Sequence, residues 1–433
     1  MNFAESIEYL YNLGYELSVK KFGLENTTKL LKALENPERN YLKIQVAGTN
    51  GKGSTVAFLE SICVAAKIKV GKFTSPHLVS ITERICINSA EISENKFAKH
   101  ATRIREVSEK LVSDGELEAL PTFFEHVTAI ALCAFAEEDV EIAILETGLG
   151  GRFDATTATN AEIVAITPID YDHQNILGNS LTEIASEKAA IIRWDTRVLS
   201  VLQQTEAEKV IYGKCREVGV EPIWTVCDVK LLEDLGGFYY LGFKTETKNY
   251  KTLLMMKGKH QQTNANLAIY IAETLLDFGY KISKQDIEIG LEMTEHSGRL
   301  EFYKNFLFDG AHNASGAKAL REYLDDNIKK PIIMIFGAMM EKDLSEISEI
   351  LFPKAEKLIF TKPDNPRSME VSELTKFAPQ NLAKENLFLT PNVADALKTA
   401  QEISGKDDLI LVTGSLYLIG EIKKHLKKSK SEI

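Results

Sequence analysis

The sequence predicts an α/β fold in two units: an N-terminal phosphate-loop (P-loop) unit on a mainly parallel sheet, and a smaller C-terminal, Rossmann-like α/β unit. Three observations predict it. Apolar strand-like runs alternate with helix-length amphipathic segments, the pattern of a parallel sheet with crossover helices. That alternation lapses after about residue 195 and restarts near residue 300, so the later strands need a sheet of their own. The first strand-to-helix turn, Gly48-Thr49-Asn50-Gly51-Lys52-Gly53-Ser54, is a glycine-rich loop of the kind that holds phosphates.

Taken in order, the first unit offers a strand at Tyr41–Ala47 (YLKIQVA), a helix at Val56–Ala66, a strand in KVGKFTS and a helix over Thr122–Ala136. Strands follow at Glu141–Glu146 (EIAILE) and Ile163–Pro168 (IVAITP). Ser180 with Glu183 forms the signature of a capping box that opens a helix. Asp195–Lys257 has weaker periodicity; its GGFYYLGFKTETKNYKTLLMM stretch reads as antiparallel hairpin strands at the edge of the first unit. The join falls near His296–Leu300, giving units 1–297 and 298–433. In the second, FLFDG, PIIMIFGAM, KLIFTKP and DLILVTGS are strands, each followed by a helix-length amphipathic segment.

Composition narrows the function classes. With 433 residues and 44% hydrophobic content, the chain is long enough for two or three full cores. No apolar run reaches the roughly 18 residues that a membrane span needs, and Met1–Leu34 mixes charged and apolar residues as amphipathic helices do, so a cytoplasmic protein without a membrane partner is expected. Five cysteines without a CxxC pair fit reduced, mostly buried thiols. A net charge of −11 argues against a nucleic-acid partner, so any anionic substrate must meet local positive groups. Lys423–Lys430 reads as the solvated end of the last helix, where cations suit the helix dipole.

The loop points to ATP. Glycines let the backbone wrap an anion with its N–H groups turned inward, Lys52 supplies a mobile cation, and Ser54 a hydroxyl suited to Mg2+. It is not the usual G-x-x-x-x-G-K-[ST]: only two residues separate Gly48 from Gly51, and Gly53 separates Lys52 from Ser54. A glycine-rich turn with no phosphate to hold is the plainer alternative, and the Lys-Gly-Ser-Thr run argues against it.

Three further segments carry chemistry. Glu146 ends an apolar strand and passes directly into glycines, where nucleotide enzymes set a Mg2+ ligand; a surface glutamate is the alternative. After the next strand come Asp170, Asp172 and His173, a grouping suited to a second divalent ion or to proton transfer. Lys188, about two turns into the helix behind Ser180, lies beside the apolar run Ala189–Ile192; a lysine held there can lose its proton and take up CO2 as a carbamate. Arg299, Asp309, His312 and Asn313 begin the second sheet, whose strand ends face a cleft and can complete the nucleotide site across the gap.

Together these segments closely resemble the folylpolyglutamate synthase and dihydrofolate synthase family, relatives of the Mur ligases. The resemblance runs nearly end to end, through VAGTNGKGST, FTSPHL, TFFE, LETGLGGRFDAT, DHQNILG with IASEKA, HQQTNANLA, SGRLE, DGAHN, FGAMMEKD and VTGSLYLIGE. It implies ATP-dependent amide formation between a folate or dihydropteroate carboxylate and L-glutamate, by a monomer. It implies that Gly48 to Ser54 hold the ATP phosphates, that Ser75, Glu146 and His173 bind two Mg2+ ions, and that Lys188 is carbamylated. Asn264, Arg299 and Asp309 then complete the ATP site, with His312 near the transferring phosphate. Thr122, Phe123, Phe124 and Glu125, with Phe153, Asp154 and Ala155, face the pterin-bearing substrate. The chain departs from the family pattern beside these positions: EKAAIIRWD replaces EKAGIIKPG, HSGR replaces a WPGR-like approach to Arg299, Ala314 replaces a proline, and the usual glycine near Ser89 is lacking.

Two competing readings make different demands. A Mur-type ligase for a nucleotide-linked muramyl chain calls for a domain of about a hundred residues ahead of the loop, where Lys52 has 51. A non-catalytic nucleotide switch needs neither the second unit with Asp309 and His312 nor the lysine carbamate.

Overall fold

The computed structural model describes residues 1–14 and 23–431. Eight strands form the larger sheet: β1 (Leu42–Ala47), β2 (Val70–Phe73), β3 (Ile85–Ile87), β4 (Ala90–Glu91), β5 (Ile142–Glu146), β6 (Ile163–Ile166), β7 (Arg197–Val201) and β8 (Pro222–Thr225). Their spatial order is β4-β3-β2-β5-β1-β6-β7-β8, parallel except at β2–β3 and β3–β4.

β5 illustrates why the sheet is buried on both faces. Ile142 and Ile144 enter one core with the helices Lys52–Ala65 and His260–Asp277, while Ala143 and Leu145 enter another with the helix Phe123–Glu137. A strand covered on both sides must be apolar at every position, and IAIL is. Burying each Ile or Leu here stabilises the fold by roughly 1.5–3 kcal/mol; an acid at Ile144 would break the layer.

The strand order sets the site. Neighbours β2, β5, β1 and β6 are parallel, so their carboxyl ends line one edge. Past those ends lie Ser75, Glu146, the phosphate loop, and Asp172 with His173.

The helix expected at Val56–Ala66 begins four residues earlier and spans Lys52–Ala65. Lys-Gly-Ser-Thr reads as loop by composition, but Gly51 at φ +87° turns the chain directly into the helix, so the loop's lysine is its first residue.

Asp195–Lys257 also differs from the expected edge hairpin. Its first part adds β7, the helix Thr205–Val218 and β8 to the large sheet, because Val198, Leu199 and Val201 supply a short buried strand. The remainder is a separate antiparallel sheet, β9 (Asp228–Asp234), β10 (Tyr239–Lys244) and β11 (Asn249–Leu254), ordered β11-β10-β9. Tyr239, Leu241, Phe243, Tyr250 and Leu254 alternate inward and join the same core as Ile44 and Phe58.

The third sheet contains β12 (Glu301–Tyr303), β13 (Phe306–Asp309), β14 (Ile332–Phe336), β15 (Lys357–Phe360), β16 (Leu387–Leu389) and β17 (Leu409–Thr413), ordered β12-β13-β17-β14-β15-β16. Only β12–β13 is antiparallel. β13, β14, β15 and β17 match the four expected strands. The helix expected directly after β15 is a single turn, Val371–Leu374, because Pro363 and Pro366 interrupt the segment.

Candidate active site at the carboxyl edges of two sheets

Backbone geometry makes the loop what it is. A Cβ on Gly48 would lie 1.9 Å from Thr167 Oγ1, and one on Gly51 2.2 Å from Asn264 Oδ1. The loop therefore lies directly against the end of β6 on one side and the helix His260–Asp277 on the other. Thr49 and Asn50 N–H groups donate to Pro168 O at 2.9 and 3.2 Å. Gln261 Nε2 donates to Ser54 Oγ at 3.4 Å and Asn264 Nδ2 to Gln261 Oε1 at 2.9 Å, which ties Asn264 to the helix that follows the loop.

Lys52 Nζ folds back on Gly48 O (3.1 Å) and Thr49 O (3.2 Å). Burial lowers its pKa, and the carboxylates of Glu146 and Asp172 pull it back up. Lys188 Nζ donates to the same Gly48 O at 2.8 Å. Its pKa falls to about 7, chiefly by burial and then by the Lys52 charge.

At the end of β5, Glu146 accepts the Ser75 N–H at 3.2 Å, and burial raises its pKa against the pull of Lys52. His173 opens the short helix Gln174–Leu177 from a left-handed conformation, φ +50°. Burial, followed by the Lys342 charge, holds its pKa down at about 3, so the imidazole is neutral at physiological pH. Ser75, Glu146, His173, Lys52 and Lys188 line one cavity of about 330 Å3 with loop residues 48–54. Among the described residues, no group of three or more His, Cys, Asp or Glu side chains is arranged to hold a metal ion.

The third sheet closes this cavity. Arg299, Asp309, His312 and Asn313 line it, as do Asn264 and His260 of the helix against which the loop packs. Both Asp309 oxygens are engaged by backbone, Oδ2 by Leu300 N–H (3.0 Å) and Oδ1 by Ala311 N–H (3.0 Å). His312 places Nδ1 2.7 Å from Gly310 O and Nε2 3.4 Å from Asp172 Oδ2.

A polar seam joins the halves; besides Asp172, Asn313 and the loop's Asn50 it runs through Lys342 and Ser315, which the sequence did not single out. Asp172 Oδ1 accepts from Lys342 Nζ at 2.5 Å and its Oδ2 from Asn313 Nδ2 at 3.2 Å. Burial would raise the Asp172 pKa, but the His312 hydrogen bond and the Lys342 charge overcome it and hold the carboxyl far below its usual range. Asn50 of the loop donates to Ser315 Oγ at 2.5 Å and accepts from Asn313 Nδ2 at 3.0 Å. Lys342 belongs to the FGAMMEKD run, the available signal that this segment approaches the site.

Next to the loop cavity is a second, of about 240 Å3, lined by Phe123, Phe124, His173, His312, Lys342, Arg84, Arg367 and Tyr417 among others. Phe124 packs over Gly148, where a Cβ would come within 2.7 Å of the ring, and the Arg84 guanidinium stands 5.3 Å from the Phe123 ring centroid. Thr122 and Glu125 instead form the capping box of their helix, and Glu125 also accepts from Thr27 Oγ1 at 2.9 Å. Asp154 is buried and accepts from Gly148 N–H (2.7 Å) and Leu149 N–H (3.0 Å), bracing the turn after Glu146, while Ala155 is buried beside it. Phe153 is about half exposed, and none of these three lines either cavity. Arg84 and Arg367 carried no sequence signal, and Tyr417 none beyond the VTGSLYLIGE run in which it lies.

The family models agree with this architecture: the Mur ligase middle domain matches residues 46–272, and the Mur ligase glutamate ligase domain residues 298–416. A dihydrofolate synthase/folylpolyglutamate synthase of Bacillus subtilis is 34% identical over 94% of this chain and 95% of its own. Among solved structures, Mycobacterium tuberculosis folylpolyglutamate synthase complexed with ADP and AMPPCP superposes with a TM-score of 0.86 at 27% identity, covering 98% of this chain and 99% of that one. E. coli FolC in complex with DHPP and ADP gives 0.86 at 25% identity, covering 99% of each chain. With two sheets presenting their strand ends to one cleft and relatives matched nearly end to end, the chain belongs to the folylpolyglutamate synthase/dihydrofolate synthase family of Mur-type ligases.

Proposed function

We propose that this protein is an ATP-dependent ligase that joins L-glutamate to a folate, to 7,8-dihydropteroate, or to both. One observation carries the reading: the phosphate loop, Glu146, Lys188, Arg299 and His312 converge on a single cavity that adjoins a second one walled by Phe123 and Phe124. An enzyme that activates an acid with ATP needs both compartments side by side. Division of the chain into an ATP-binding unit, 1–297, and a ligase unit, 298–433, belongs to the same reading.

A carboxylate is a poor acyl donor. In the proposed reaction its oxygen attacks the γ-phosphorus and ADP leaves, giving an acyl phosphate; the glutamate amine then attacks the acyl carbon, loses a proton and expels phosphate. Both steps gather negative charge in the cleft. Lys52 and Arg299 offset it, each preorganised contact contributing roughly 3–4 kcal/mol of barrier lowering. His312 is the proposed base for the amine: one ring nitrogen donates its N–H and orients the ring, and the other takes the amine's proton once its contact with Gly310 O or Asp172 opens.

The donor set fits divalent metal. Ser75 hydroxyl, Glu146 carboxylate and the neutral His173 imidazole share the cavity with Lys188, which as a carbamate presents a further oxygen ligand. So few side-chain ligands suit Mg2+, which keeps several waters and takes phosphate oxygens. When bound, Mg2+ neutralises phosphate charge.

The test supplies purified protein with ATP, Mg2+ and labelled L-glutamate, and either 7,8-dihydropteroate or a reduced folate. Label in both products means a bifunctional synthase, and in one alone identifies the step served. Incorporation with neither acceptor overturns the substrate class.

A further inference from the structure

Between the two units the chain passes through Ser297-Gly298-Arg299-Leu300, and its backbone is constrained there. Gly298 has φ +74° and Leu300 φ +44°, the latter in a region an ordinary side chain avoids. Leu300 is also buried in the core of the second unit. A left-handed leucine persists only where its surroundings hold it.

Two carboxylates do so from opposite sides. Inside, Asp309 Oδ2 accepts the Leu300 N–H at 3.0 Å, and the Gly310 N–H of the same strand end donates to Gly298 O at 2.9 Å. Outside, Glu301 Oε2 accepts the Gly298 N–H at 2.7 Å and the Ser297 hydroxyl at 3.1 Å. Glu301 is in turn fixed by Lys423 Nζ, at 2.7 and 2.8 Å from its two oxygens, and Lys423 also donates to Ser297 Oγ at 2.6 Å. Lys423 was expected to be a solvated helix end. Its side chain is only 16% exposed because it turns inward onto this carboxylate. Between the clamps, Arg299 lies so close to the strand end that a Cβ on Gly310 would fall 3.0 Å from Nη1.

We propose that Glu301 and Lys423 are positioning residues that act through the 297–300 turn to aim the Arg299 guanidinium into the nucleotide cavity. Ser297, at the departure from the family's WPGR-like pattern, supplies the hydroxyl that links the pair to the turn. The proposal rests on the reading that Arg299 contacts the nucleotide.

A thermodynamic cycle tests both, using ADP as probe. ADP affinity is measured by calorimetry for the parent, Glu301→Ala, Arg299→Ala and the double variant, with Lys423→Met carried through the same cycle should Glu301→Ala fold poorly. Glu301→Ala is expected to weaken ADP binding about tenfold, a typical coupling between interacting residues, and to add no further loss when Arg299 is already alanine. Hydrogen exchange of the 296–303 peptide should rise in Glu301→Ala, with β14 and β17 unchanged. An equal loss in both backgrounds, or no loss in either, overturns the positioning role. If Arg299→Ala itself leaves ADP affinity unchanged, the reading of Arg299 fails and takes the proposal with it.

Discussion

Lys52 and Lys188 share one acceptor: both ammonium groups donate to the carbonyl of Gly48, at 3.1 and 2.8 Å. Two cations on one oxygen repel each other, and the buried Lys188 responds with a pKa near 7, set by burial first and by Lys52 second. Neutral amine is the form that reacts with CO2, so this lowered pKa supports the carbamate proposed for Lys188.

Lys188→Ala is therefore expected to lower turnover by orders of magnitude while ADP still binds, because the loop and Lys52 stay in place. Glutamate incorporation and ADP calorimetry on one preparation check this. Retained turnover would remove the role given to Lys188.

The same shift predicts a stability profile. A lysine depressed from about 10.4 when unfolded to about 7 when folded binds fewer protons folded than unfolded between those values. Its contribution to the unfolding free energy therefore rises with pH across that window and is least favourable below pH 7. The swing attributable to the side chain is at most about 5 kcal/mol. Urea denaturation of the parent and Lys188→Met, each at pH 6.5 and 9.5, should show the parent gaining on the variant as pH rises. A constant difference would refute the depressed pKa.

Gly48→Ala brings a Cβ to within 1.9 Å of Thr167 Oγ1, at a backbone φ of +148° that side chains rarely adopt. Either β6 or the loop must move, and the loop is the softer of the two. ADP affinity is expected to fall more than tenfold, with the thermal midpoint a few degrees lower. Unaltered affinity would mean that phosphate does not sit in this loop.

Phe124→Leu tests the second cavity. The shorter side chain leaves the space above Gly148 partly empty and removes an aromatic face from the cavity wall. The KM for the pteridine substrate is expected to rise about tenfold, from lost contact on the order of 1–2 kcal/mol, with ADP affinity unchanged. An unchanged KM would place that substrate elsewhere.

Much of this was legible in the sequence, for physical reasons. Gly48 to Ser54 could be read because phosphate chemistry demands a particular run of small and basic residues, and β5 because a strand buried on both faces must be apolar throughout. β7 and β8 were not, since four or five residues with an exposed Arg197 and Ile223 lack a distinctive period. Lys342, Arg84 and Tyr417 reach the site only through tertiary packing, and a lone lysine, arginine or tyrosine leaves no pattern in its neighbours. Thr122 and Glu125 sit beside the site but are engaged in capping, a distinction that spacing alone does not make.

The seam between the units yields the last prediction. Asp172 meets Lys342 at 2.5 Å with both side chains about one-tenth exposed, and Asp172 also takes hydrogen bonds from its partners in the second unit. Breaking a pair this deeply buried leaves an uncompensated charge, which typically costs 3–5 kcal/mol, whereas replacing both charges costs much less. Asp172→Ala should therefore destabilise by about 3 kcal/mol in urea denaturation, and Asp172→Ala with Lys342→Met should recover a large part of that. Turnover behaves differently, because the double variant still leaves His312 Nε2 without its carboxylate. It should stay at least tenfold below the parent while stability returns, as expected for general acid–base catalysis by a poorly oriented histidine. If stability and turnover recover together, Asp172 serves only to join the two units and does not orient His312.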